Sequence, residues 1–231
     1  MDTNRKTARI VGALFIIATL ASILGSAVTG DLNAPDYLIK VSANENQMII
    51  GAILGFIGAA AGAGIAISLY PIVKRFHQGL ALGAVGFRII EAVFLIVVAI
   101  GSLLLLTLSQ EYVRAGATDA SYYQTLGTLI KAGRDWAGFG FSVIAFNLGA
   151  LMYYYIFYRS KLIPAWLSVW GLIASVLSIS AAVLFMFGDK PLSTTSILLN
   201  LPIAVQEMVL AIWLIIKGFD LSVNASGSAQ T

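Results

Sequence analysis

Cysteine is absent from the 231 residues and histidine occurs once. The first absence excludes disulfides, thiolate catalysis, iron–sulfur clusters and cysteine-ligated zinc, and leaves the redox compartment unreadable. The second excludes bis-histidine haem, a histidine metal triad and the clustered histidines of membrane hydroxylases. His77 falls beside Lys74 and Arg75, where a solvated loop role is expected. Phosphate loops and nucleophile elbows are missing too, since Gly138-Phe139-Gly140 and Gly83-Ala84-Val85-Gly86 lack the strand context those motifs require. Nothing in the pattern calls for a cofactor, a metal or a nucleic acid. Charge is also scarce, at 11% of residues against about 25% in soluble domains.

What fills the chain instead is apolar: 59% hydrophobic residues and a mean hydropathy of +0.90. About 20 apolar residues cross the hydrocarbon core. Residues 10–30, 48–73, 80–109, 136–158, 162–188 and 193–216 each suffice. The expected fold is all-α, a polytopic bundle of six transmembrane helices in one domain over residues 1–220, with a disordered tail over 221–231. Arg5, Lys6 and Arg9 before the first run imitate a signal peptide. That run exceeds the roughly 7–15 residues of a signal core, so it reads as a retained span.

Basic residues in short loops stay cytoplasmic. With the N-terminus inside, Arg5, Lys6, Arg9, Lys74, Arg75, Arg159, Lys161 and Lys217 lie inside, against Lys40, Arg114, Lys131 and Lys190 outside, which points to N-in and C-in in a cell membrane. Trp166, Trp213 and the run Tyr153, Tyr154, Tyr155 and Tyr158 are placed near the inner boundary and Trp136 near the outer one, as interfacial rings prefer. The outer segments 31–47 and 111–133 read either as short amphipathic helices, lying on the outer surface or capping the bundle and the second with Asp119 as its cap, or as solvated connectors. In the second span Gly51, Gly55, Gly58, Gly62 and Ala66 form one smooth face, the usual device for close helix packing in lipid.

Three charges break the apolar runs: Arg88 and Glu91 in the third, Glu207 in the sixth. A charge in hydrocarbon persists only when its desolvation is compensated. Arg88 and Glu91, three apart, share a helix face and can pair. At 1.5 Å per residue, Arg88 lies about 12 Å from Leu80, Glu207 about 15 Å from Lys217 and Asn147 about 18 Å from Arg159, so their depths correspond. Asn200 is one heptad from Glu207 on the same face. A polar cluster of Arg88, Glu91, Asn147 and Glu207, extended by Asn200, is expected near mid-bilayer. Arg134 and Asp135 sit at the boundary, where anchoring is expected.

Leu69-Tyr70, the string from Ala81 through Phe87-Arg88 to Glu91, Tyr158-Arg159-Ser160 with Pro164, and Glu207 followed by Ala211-Ile212-Trp213-Leu214 and Lys217-Gly218-Phe219 together resemble a bacterial family of multi-span membrane proteins, domain of unknown function 4386. The resemblance covers nearly the whole chain. It implies six helices and no established activity or cofactor. Three readings of function stay open. The cluster binds or transports a small amphiphile, lipid or ion, with Arg88 holding an anionic group and Glu207 accepting a proton or cation. Alternatively it is a static clasp in a structural or regulatory subunit. The third reading, a lipid-modifying enzyme with Glu91 or Glu207 as base, lacks nucleophiles and metal ligands around those residues.

The orientation is tested by exploiting the cysteine-free chain. A single cysteine introduced after Lys217 should resist an impermeant thiol reagent in intact cells and react once they are permeabilised. Labelling in intact cells would reverse the assignment.

Overall fold

The computed structural model describes residues 3–32, 34–117 and 120–220. These form α1 Thr3–Thr29, α2 Tyr37–Ala43, α3 Glu45–Val73, α4 Gln78–Arg114, α5 Ala120–Asp135, α6 Ser142–Ser160, α7 Ala165–Met186 and α8 Thr194–Ile216, with a π-helical stretch Trp136–Phe141 joining α5 to α6 in one rod. Strands are absent among the described residues. Six helical segments are long and apolar enough to cross a membrane, the fourth being the rod Ser121–Ser160. The chain is a multi-pass membrane protein, as its hydropathy requires. The expected Asp119 cap and the tail from residue 221 lie outside the described residues.

The spans form a closed ring in chain order. Helix α1 packs on α3, α3 on α4, α4 on α6, α6 on α7, α7 on α8, and α8 returns to α1. Apolar helices gain little from burying apolar surface when the solvent is itself hydrocarbon, so contact geometry must hold them. Glycines supply it. A methyl group on Gly25 would sit 3.2 Å from the Gly51 carbonyl oxygen, and one on Gly58 would sit 3.0 Å from Ser22 Oγ, which fixes α1 against α3. At the closing contact, a methyl on Gly12 would stand 2.7 Å from the Ala211 carbonyl oxygen of α8. The small-residue face of α3 thus serves α1 with Gly51 and Gly58 but turns Gly62 towards Arg88, while a methyl on Gly55 would meet nothing within 4 Å. Between α7 and α8, side-chain hydrogen bonds do the corresponding work, Ser178 Oγ to Asn200 Oδ1 at 2.6 Å and Gln206 Nε2 to the Leu167 carbonyl at 3.1 Å.

Two elements exceed any bilayer. At 1.5 Å per residue the 37 residues of α4 and the 40 of the rod run about 55–60 Å, against a hydrocarbon core of about 30 Å. The excess forms a cap at the end of the bundle away from the described termini. There Leu32, Tyr37, Leu38, Val41, Met48, Leu105, Leu106 and Tyr112 make a second apolar core. Lys131 secures it, its Nζ 4.2 Å above the Tyr37 ring and 2.9 Å from the Leu32 carbonyl. The first outer segment therefore does hold a short helix, α2. The second holds one too, α5, beyond the end of α4 at Arg114; α5 does not stop at the surface but continues through the π stretch into the fourth span.

His77 lies exposed in the loop before α4, as expected, and has a capping role besides, whereas Arg134 differs from expectation by meeting a side-chain partner. His77 caps α4, its Nδ1 accepting from the Leu80 N–H at 3.1 Å. Arg134 is no outward anchor; its Nε donates to Ser102 Oγ on α4 at 3.0 Å, and its stem lies over Gly101. The π stretch follows immediately. It places Gly138 against Val98 and Gly140 against Met186, and Ser142 Oγ donates to the Gly138 carbonyl at 2.6 Å.

Gly12→Ala should lower stability by about 1–3 kcal/mol, the usual cost of forcing extra volume into a packed contact. Gly55→Ala should be neutral or mildly stabilising, since the space is open and alanine is the better helix former. Equal thermal shifts for the two variants in detergent would refute the closing contact.

Candidate functional site

Helix α4 carries Arg88 into the ring interior, where the residue is 3% exposed. Burying a guanidinium requires that its charge and its donors be met. Arg88 Nε donates to the Gly62 carbonyl at 3.2 Å, and Nη1 lies 3.0 Å from Glu91 Oε2. The second contact is one of charge rather than of aligned hydrogen bonding. The guanidinium also stacks over Phe146 of α6, 4.8 Å from the ring centre. Small residues make room: a methyl on Gly62 would stand 3.4 Å from Arg88 Nη2, and one on Gly149 would stand 3.3 Å from Arg88 Cγ.

Glu207, on α8, is partnered differently. The Tyr153 hydroxyl donates to Glu207 Oε1 across 3.5 Å, a long contact. Arg88 acts on Glu207 through charge alone, and Glu91 is its carboxylate neighbour. Next to it, the Tyr154 hydroxyl donates to Gln206 Oε1, whose amide donates in turn to the Leu167 carbonyl. Tyr153 and Tyr154 are fully buried, their rings 4.5 Å apart. This corrects the placement of the tyrosine run at the inner boundary: Tyr155 and Tyr158 face outward, whereas Tyr153 and Tyr154 belong to the core.

The two asparagines form a second group nearer the cap. Asn147 Nδ2 donates to Ser178 Oγ at 2.8 Å and to the Val143 carbonyl at 2.8 Å, and Ser178 Oγ donates to Asn200 Oδ1 at 2.6 Å. Asn147 Oδ1 is buried without a hydrogen-bond partner among the described residues. The five residues singled out in the sequence thus separate into Arg88, Glu91 and Glu207 on one level and Asn147 and Asn200 on another. Sequence reasoning missed Tyr153, Tyr154, Gln206 and Ser178. The signal for the two tyrosines was faint, a spacing of three and four from Asn147 through Ala150 to Tyr153 and Tyr154 on one face of α6. A concavity of about 550 Å³ opens at the end of the bundle near Lys161 and Lys217, away from Arg88.

The arrangement sets two carboxyl groups against one guanidinium in the ring interior. No group of three or more His, Cys, Asp or Glu side chains suited to a metal occurs among the described residues. Arg88, Glu91, Glu207 and Tyr153 are the ionisable side chains that meet at this level.

A family model described as a domain of unknown function (DUF4386) matches residues 10–218. No curated protein and no solved structure matches the chain.

Arg88→Leu should cost about 3–5 kcal/mol, because it leaves a buried carboxylate without its cation. The double variant Arg88→Leu/Glu91→Leu should recover at least half of that loss in chemical or thermal unfolding. A double variant no more stable than the single one would show that Glu91 is not the main partner.

Proposed function

This chain belongs to the DUF4386 family, which brings no activity with it, and we propose that it is a proton-coupled binding or transport protein of the bacterial plasma membrane, acting on a small amphiphile, lipid or ion. The observation that carries this reading is the division of partners: Arg88 is committed to Glu91 and the Gly62 carbonyl, which leaves Glu207 with a long contact to Tyr153. Two carboxylates beside one guanidinium leave an excess negative charge in a poorly solvated interior, and a proton or a bound cation on Glu207 removes it.

The groups that face Glu207 are few. Arg88 and Glu91 come from α4, and Tyr153 and Tyr154 from α6. Helix α7 carries no titratable side chain, and those of α1 and α3 lie towards their ends, at Arg5, Lys6 and Arg9 and at Glu45 and Tyr70. Glu207 is thus the coupling acid, and Arg88, backed by the Phe146 ring, is the contact for an anionic group. The ladder Asn147, Ser178 and Asn200 supplies hydrogen-bonding groups between this level and the cap.

A static clasp is the second reading, favoured by the extent to which Arg88 is already satisfied. Proton uptake into reconstituted vesicles, driven by an imposed potential and read by a trapped pH dye, separates the two. The native chain should show pH-dependent uptake, Glu207→Gln should abolish it, and Glu207→Asp should retain part. Identical pH-independent traces for native protein and Glu207→Gln would sink the coupling, and loss of folding in Glu207→Gln would favour the clasp.

A further inference from the structure

The concavity of about 550 Å³ at the basic end of the bundle is unrelated to Arg88 and is built from two chain reversals. Helix α6 ends at Lys161 in the left-handed region, φ 55°, and the chain turns into α7. Past α8, Gly218 at φ 78° turns the chain back. Phe219 then packs 6.1 Å from the Phe157 ring, and the Asp220 N–H donates to the Leu162 carbonyl at 2.9 Å. This strap holds Lys217 and Trp213 across from Lys161 and Ile163, with the hollow between them.

The hollow has a size suited to a small ligand, within the roughly 300–1,000 Å³ of ordinary sites. Its rim is cationic and its floor apolar. Lys161 and Lys217 are exposed on the rim, while Leu162, Ile163 and Phe219 lie below. A side chain at Gly218 would meet the Arg5 stem 4.0 Å away, so α1 brings a third cation alongside. Against these stands a single carboxylate, Asp220. The position is the level at which α6 ends and α7 begins, where exposed Trp166 and half-buried Trp213 mark an interfacial belt.

We propose that this hollow binds a phosphate-bearing anion, its natural source the headgroup of an acidic phospholipid. Lys161 and Lys217 hold the phosphate as point charges, Arg5 adds attraction, and the floor with Trp213 receives the glycerol and the first methylenes of the acyl chains. Exposed basic residues at the level of an anionic leaflet draw such lipids there, and the inward assignment of this end by its basic loops supplies that leaflet.

Native mass spectrometry on the full chain, released from neutral detergent with equal amounts of phosphatidylglycerol and phosphatidylcholine, tests the site. The native chain should retain phosphatidylglycerol preferentially. Lys161→Asn/Lys217→Gln should lower that retention by about thirtyfold, the sum expected for two interfacial cations. Lys74→Gln/Arg75→Gln, equal in charge and at the same end, should leave it unchanged, and Lys217→Arg should preserve it. Displacement of the lipid by inorganic phosphate alone would keep the phosphate site and assign it to a soluble source. Equal retention of both lipids, or equal loss in the two double variants, would overturn the proposal.

Discussion

Helices immersed in hydrocarbon have no reason to prefer each other's apolar surface over that of acyl chains, so this ring depends on backbone approach. Gly25 and Gly51 bring α1 onto α3, Gly149 brings α6 onto the Ala84 carbonyl of α4, Gly171 receives the Tyr154 ring on α7, and Gly12 closes the circle against α8. Where no glycine serves, between α7 and α8, hydrogen bonds from Ser178 and Gln206 take over. Each contact is short-ranged, so the ring closes only if all of them are met together.

The polar interior follows from that closure. A guanidinium at mid-depth costs at least about 2.5 kcal/mol even on the lenient insertion scale. Arg88 is tolerated because Gly62 has no side chain to block its carbonyl, because Glu91 lies one turn along α4, and because α6 presents a ring rather than an aliphatic chain. Packing and chemistry share residues here: Gly62 belongs to the smooth face of α3 and to the arginine site at once.

Hydropathy made the six spans legible, since their length and lack of charge leave no alternative fold in lipid. The Arg88–Glu91 pair was legible for a local reason, spacing within one helix. The division of the wider cluster into two levels was not, because depth counted along separate helices says nothing of how those helices rotate about their axes. Rotation also decides that Tyr153 and Tyr154 turn inward while Tyr155 and Tyr158 turn outward. Arg134 defeated a sequence reading for a related reason: nothing local reveals that Ser102, on another helix, awaits its guanidinium.

The rod that joins α5 to α6 serves two masters, with Arg134 reaching Ser102 before its π stretch and Asn147 reaching Ser178 after it. One residue of helix corresponds to about 100° of rotation, and the wider turn of a π stretch takes up one such residue. The cap and the membrane bundle are therefore geared together by a residue count over Trp136–Phe141. Length in that stretch is slack already drawn: loss of one position closes it to an ordinary α turn with Arg134 and Asn147 still facing their partners, whereas a further gain has no wider turn to take it up.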